Sequence, residues 1–223
     1  MEYQGLKIEH FSHDCFQLSY MDKVIYIDPY HLTASQAVRA DYIFITHGHF
    51  DHCSPNDIKK IISVDTIIIA LAECMEQLQS LRVKEVNYVE PNQQLTLPDF
   101  NVETIPAYNL DKFRSPGVPY HPKEEKKVGY VLDFNGLKLF HTGDADNIPE
   151  FASLKDIDIA LLPVSGTYVM TPEEAVQATR VIKPKMVIPM HYGSIIGSKD
   201  DAIKYKEGVN NSPDLTGIEV NII

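Results

Sequence analysis

Tryptophan is absent from the 223 residues, and cysteine occurs only three times. Cys15, Cys53 and Cys74 are an odd set without CxxC spacing, which argues against a disulfide framework and for a reducing, cytoplasmic setting. Positive charge is also scarce, 20 Lys and Arg against 31 Asp and Glu, giving a formal net charge of −11. The longest basic run, Lys123 to Lys127, is interrupted by Glu124 and Glu125. A phosphate-tracking surface needs clustered cations, so no nucleic-acid partner is expected. Long apolar runs are missing as well, none approaching the roughly 20 residues of a spanning helix. Met1-Glu2-Tyr3-Gln4 has neither the basic region nor the apolar core of a signal peptide, so no membrane partner is expected.

Hydrophobic residues make up 44% and charged residues 23% of the chain, ordinary for a globular protein, and a single domain spanning 1–223 is expected. Residues 6–11, 15–20 and 23–28 alternate apolar and polar side chains, with Met21-Asp22 as a tight turn, and predict an antiparallel meander that Asp28-Pro29 ends. Ser54-Pro55-Asn56-Asp57 offers an N-cap and a proline at the first position of a short helix carrying Ile58, Ile61 and Ile62. A strand at 66–70, a helix at 72–81 and a strand at 85–89 follow, a mixed α/β pattern. Strands at 93–97 and 101–106 surround a Pro98-Asp99 turn, and 111–127, rich in proline and charge without periodicity, reads as a loop. Asn135-Gly136 marks a hairpin between 128–134 and 137–141. Strands at 158–163, 186–189 and 217–222, a helix opened by a Thr171 capping box and a short helix near 200–207 complete the chain.

Chemistry concentrates in Thr46-His47-Gly48-His49-Phe50-Asp51-His52, directly after the apolar run Tyr42-Ile43-Phe44-Ile45. Imidazoles and carboxylates so close together suit zinc and similar divalent ions, and the loop has donors enough for two adjacent metals. Asp144 and His191 also follow apolar strands, in Thr142-Gly143-Asp144 and Met190-His191-Tyr192-Gly193. Asp28 either holds a metal-ligating histidine from behind or caps local backbone amides. Cys53 reads as a small loop residue rather than a ligand, and His141, sharing a strand face with Leu137 and Leu139, as a packed one.

Together these motifs resemble the metallo-β-lactamase-fold superfamily. Within it, Ile8 to Phe16, Ile27-Asp28-Pro29-Tyr30, His141-Thr142-Gly143-Asp144 and Pro189-Met190-His191-Tyr192-Gly193 are similar to the branch of metal-dependent hydrolases related to L-ascorbate-6-phosphate lactonase. The resemblance implies an α+β, αββα sandwich, with two packed sheets and helices outside. It implies that His47 and His49 serve one metal, that Asp51, His52 and His191 serve the other, and that Asp144 bridges both. One or two divalent ions follow, zinc first, with manganese, iron or nickel as alternatives. The family commonly carries a further histidine where this chain has Asn109. Three explanations compete: His121 reaches back from the loop, Asn109 or His13 contributes, or the first position is weak and one metal dominates.

The expected activity is metal-dependent hydrolysis of a small ester, lactone or phosphoester. Metal coordination lowers the pKa of water to about 7 and provides a bound hydroxide as nucleophile. Asp51 and Asp144 are the expected catalytic carboxylates, Asp51 orienting the nucleophile or handling its proton. Thr167, Tyr168 and Tyr192 are candidate substrate-side donors. A phosphodiesterase is an alternative, although Cys53-Ser54-Pro55 after the motif and the acidic charge count against a nuclease. From another class comes a metal-binding or sensing protein of the same fold with a degenerate, non-catalytic site. The expected partner is a small-molecule substrate, and an exposed apolar edge would permit a homo-oligomer.

Overall fold

The computed structural model describes residues 1–223, which fall into two compact units, residues 1–90 with Ile223 and residues 91–222. The first is built on a seven-stranded sheet with its strands in chain order: β1 (Glu2–Tyr3), β2 (Leu6–Ser12), β3 (Cys15–Tyr20), β4 (Lys23–Ile27), β5 (Tyr42–Phe44), β6 (Ile67–Leu71) and β7 (Glu85–Val89). Strands β1 to β4 pair antiparallel, as the alternation predicts from β2 onward, and β4 to β7 pair parallel. Every residue of β5 and β6 is buried, so their sequences read as apolar runs rather than alternations.

Helix α1 (Pro55–Ile61) begins where Ser54 accepts the Asp57 amide, with proline at a position whose N–H has no helical partner. Ile58 and Ile61 are fully buried, each worth about 1.5–3 kcal/mol. The helix expected over 72–81 is shorter: a 3-10 turn, Ala72–Cys74, leads into α2 (Met75–Leu78). Only Cys74 and Leu78 of this segment are buried, while Met75 is 52% exposed, so its apolar face supports about one turn.

The second unit carries β8 (Gln94–Thr96), β9 (Asn101–Pro106), β10 (Phe113–Ser115), β11 (Val118–Pro119), β12 (Val128–Phe134), β13 (Leu137–His141), β14 (Ile159–Pro163), α3 (Pro172–Ile182), β15 (Met186–Met190), α4 (Lys199–Asn210) and β16 (Glu219–Val220). Its larger sheet has the order β16-β15-β14-β13-β12-β9-β8, parallel from β13 to β16 and antiparallel elsewhere. Asn135 and Gly136 adopt φ of 55° and 98°, the left-handed pair that joins β12 to β13 with Phe134 opposite Leu137. The Thr171 capping box is formed, and α3 buries Ala175, Ala178 and Ile182 in the core of this unit. The expected loop 111–127 is more ordered than its sequence suggests: β10 and β11 form a small antiparallel hairpin, and a 3-10 turn covers Lys123–Glu125. All of β10 is exposed, so no apolar alternation announces it. No helix of the chain is long and apolar enough to cross a membrane.

Strand direction fixes where the chemistry goes. In the first sheet β3 starts beside the end of β4, Phe16 opposite Ile27, and β4 and β5 end side by side, Ile27 opposite Phe44. His13-Asp14, Asp28 and Thr46-His47 therefore share one sheet edge. In the second, β13 and β15 flank β14 in parallel, so Asp144 and His191, which follow them, also share an edge. Pro106 lies opposite Val128 and Tyr130 opposite His141, which brings the residues after β9 to that same edge.

Candidate metal centre

In the first unit Asp28 is the buried pivot. Its Oδ1 accepts the Thr46 amide at 2.8 Å, and its Oδ2 accepts the Thr46 hydroxyl at 2.6 Å and lies 2.8 Å from His52 Nδ1. A carboxylate oxygen accepts, so His52 carries its proton on Nδ1 and presents the Nε2 lone pair on its other side. Asp28 thus caps a backbone amide and holds a histidine at once. His47 Nε2 lies 2.9 Å from His49 Nδ1, and His47 Nδ1 lies 3.0 Å from Thr46 Oγ1. Asp51 Oδ2 is 3.7 Å from His52 Nε2 and 3.2 Å from His13 Nε2. His13 is buried, and His10 Nε2 lies 2.7 Å from its carbonyl oxygen. Burial holds the His10 imidazole below its ordinary range.

In the second unit Asp144 Oδ2 lies 3.3 Å from His121 Nε2 and 3.4 Å from His191 Nε2, all three residues buried. Ser165 Oγ is 2.9 Å from the far nitrogen of His191, Nδ1. His141 accepts the Gly143 amide on Nδ1 at 3.1 Å, a packed residue that shapes the turn into Asp144. Asn109 has both side-chain atoms engaged. Its Nδ2 donates to the Tyr168 carbonyl at 2.8 Å and to Asp146 Oδ1 at 3.3 Å, while its Oδ1 accepts the His121 amide at 2.9 Å and lies 3.0 Å from His121 Nδ1. Asp146 Oδ2 accepts the Leu110 and Asp111 amides, and burial pushes its carboxyl up despite them.

His13, Asp28 and His191 have φ of 53°, 47° and 59°. The left-handed region costs a residue with a Cβ roughly 1–2 kcal/mol, and such strain clusters where side chains must be aimed. The donor set tests whether a metal fits. Two ligand atoms about 2.0–2.1 Å from a tetrahedral ion stand about 3.3 Å apart. The His47–His49, Asp51–His13, Asp51–His52, Asp144–His121 and Asp144–His191 pairs span 2.9 to 3.7 Å. Spacing and donor type both fit a divalent ion.

Some of these residues carry no signal in the sequence. Asp14, buried with its carboxylate 4.0 Å from His52 Nδ1, sits in an ordinary turn. Thr46, Ser165 and Asp146 act through hydrogen bonds that no spacing announces. The Cys53 thiol is buried and faces Cys74, whose own thiol is pushed up first by that contact and then by burial.

Residues 7–191 match the family model described as the Beta-lactamase superfamily domain. A UPF0173 metal-dependent hydrolase of Natranaerobius thermophilus is 32% identical over 213 residues, covering 89% of this chain and 90% of its own. A crystal structure of a Parabacteroides distasonis protein superposes with a TM-score of 0.84 at 33% identity, over 97% of this chain and 92% of that one. Igni18, a metallo hydrolase of Ignicoccus hospitalis, shares the fold with a TM-score of 0.78 at 22% identity, over 98% and 94%. With its two mixed sheets and four helices the chain has the α+β metallo-β-lactamase fold, and it belongs to the UPF0173 metal-dependent hydrolase family of the beta-lactamase superfamily.

Proposed function

We propose that this protein hydrolyses a small ester, lactone or phosphoester, with His47, His49, Asp51, His52, Asp144 and His191 holding one or two divalent ions, zinc first. The observation that carries the reading is how the histidines are held. His52 has its Nδ1 on Asp28 and its Nε2 toward Asp51, and His191 has its Nδ1 beside Ser165 and its Nε2 toward Asp144. A protein group behind the ring and an anionic donor in front is the arrangement of metal-ligating histidines.

A bound divalent ion supplies Lewis acidity and a water nucleophile at neutral pH. With such an ion held by these residues, Asp51 would orient a water and accept its proton, and Asp144 would offset the positive charge. The water oxygen would add to the carbonyl or phosphoryl centre, the bond to the alcohol oxygen would break, and the proton held by Asp51 would pass to that oxygen, so that acid and alcohol separate. Tyr168, whose ring lies edge-on to His191 at 6.4 Å between centroids, is the substrate-side donor best supported, whereas Tyr192 packs against the core of its unit. The resemblance to the ascorbate-6-phosphate lactonase branch suggests cyclic esters among these substrates. The sparse basic residues favour a small molecule over nucleic acid.

The test is a panel of lactones, phosphodiesters and thioesters assayed with zinc-loaded protein. Turnover that a chelator abolishes supports the proposal. Tightly held metal with no turnover across the panel favours a sensing role, and a protein that takes up no metal under replete conditions contradicts it.

A further inference from the structure

We infer that His121 is a metal ligand of this protein, delivered from the 111–127 loop, and that Asn109 is the residue that positions it. The inference rests on the metal-dependent reading above and names what stands in for the histidine absent at position 109.

The orientation of Asn109 is forced. The His121 amide can only donate and the Tyr168 carbonyl can only accept, so Oδ1 must face His121 and Nδ2 must face Tyr168. That same Oδ1 lies 3.0 Å from His121 Nδ1. An amide oxygen accepts, so the ring carries its proton on Nδ1 and offers a lone pair on Nε2. Nε2 lies 3.3 Å from Asp144 Oδ2, and His191 Nε2 meets the same oxygen at 3.4 Å. The Nε2 atoms of His121 and His191 thus each stand from one Asp144 oxygen at the spacing of two neighbouring metal ligands, about 3.3 Å.

The loop is tied to deliver this ring. At its start the Lys112 ammonium donates to Asp111 and, at 2.9 Å, to Glu174 at the head of α3. Burial opposes that charge, but the hydrogen bonds to Asp111 and Glu174 outweigh it and hold the ammonium above its ordinary range. Further along, the Tyr120 amide donates to the Lys112 carbonyl and the Asn109 amide to the His121 carbonyl. Between these points runs the exposed hairpin of β10 and β11. Asn109 thus acts through His121 instead of touching the metal.

The test is metal affinity, measured by chelator competition on zinc-loaded and cobalt-loaded protein. His121→Ala should weaken binding by more than about 100-fold, and Asn109→Ala by about 10- to 100-fold. In cobalt-loaded His121→Gly, added imidazole should restore the wild-type visible spectrum, which a merely structural role would not do. Should the variants not fold, histidine ring-nitrogen NMR of cadmium-loaded wild-type protein should show coupling between the metal and His121 Nε2. Unchanged affinity and cobalt spectrum in His121→Ala, or no such coupling, overturns the inference and leaves the hydrolase reading standing. A wild-type chain that binds neither zinc nor cobalt overturns both.

Discussion

Replacing Asp28 with asparagine separates the positioning of His52 from the integrity of the fold. The side chains have nearly the same shape, and asparagine tolerates the left-handed φ of 47° as well as aspartate does, so the backbone is not strained. The introduced amide can still accept the Thr46 amide with its oxygen. Its NH2 then takes the place of the Oδ2 that lies 2.6 Å from the Thr46 hydroxyl and 2.8 Å from His52 Nδ1. The threonine hydroxyl can rotate to accept. The imidazole cannot, and it must either face N–H to N–H or move its proton to Nε2. Losing one charge-assisted hydrogen bond in a fully buried place costs about 1–3 kcal/mol. At about 2–4 °C per kcal/mol for a chain of this size, melting of the metal-free protein should fall by about 2–12 °C. A proton on Nε2 also removes the lone pair a metal needs, so zinc affinity should fall by about 10- to 100-fold. Differential scanning calorimetry and chelator competition read the two effects independently. A variant that melts lower yet binds zinc as tightly as wild type would refute the reasoning, because Asp28 would then only brace the Thr46 turn.

Two further substitutions probe the scaffold. Asp57 accepts the Leu32 amide at 3.0 Å, the Ser54 hydroxyl at 2.7 Å and the Lys60 ammonium at 2.8 Å. Burial raises its pKa, but the hydrogen bonds from Lys60, Ser54 and Leu32 outweigh burial and leave the carboxyl below its ordinary range. A depressed folded-state pKa adds stability above the unfolded value of about 3.9, and that stability is lost as pH falls through the folded value. The gap in melting temperature between wild type and Asp57→Asn should therefore shrink below about pH 4; a gap that holds constant in acid contradicts the assignment. At Gly129 an added Cβ would come within 2.5 Å of the His141 carbonyl oxygen and 2.6 Å of that of Thr142, just before Asp144. Gly129→Ala should cost about 1–3 kcal/mol and also weaken zinc binding by shifting Asp144, which melting and chelator competition will show; unchanged affinity would mean the turn absorbs the methyl.

The sequence reveals most where a local rule acts alone. Asn135-Gly136, the Thr171 capping box and the Ser54-Pro55 helix start each encode their geometry within a few residues, and the apolar strand before His47 places the motif at a strand end. Parallel pairing of β13, β14 and β15 then brings Asp144 and His191 to one edge although 47 positions separate them in the chain. The β10–β11 hairpin escapes notice because its side chains are exposed and leave no alternation. The partnership of Asn109 with His121 escapes because an amide orienting a ring 12 positions away has no periodic signature. Asn109, read alone, looks like a lost ligand, whereas its hydrogen bonds make it a support of the His121 ring. The helix expected over 72–81 is cut short for a related reason, its apolar residues being present in sequence but only partly buried.

Whether these clusters bind metal is read from the metal content of zinc-reconstituted, desalted wild-type protein beside Asp144→Ala. Near-stoichiometric zinc is expected in the wild type and its loss in the variant, with both proteins folded by circular dichroism. Equal zinc in the two, or none in either, would contradict metal binding by these clusters.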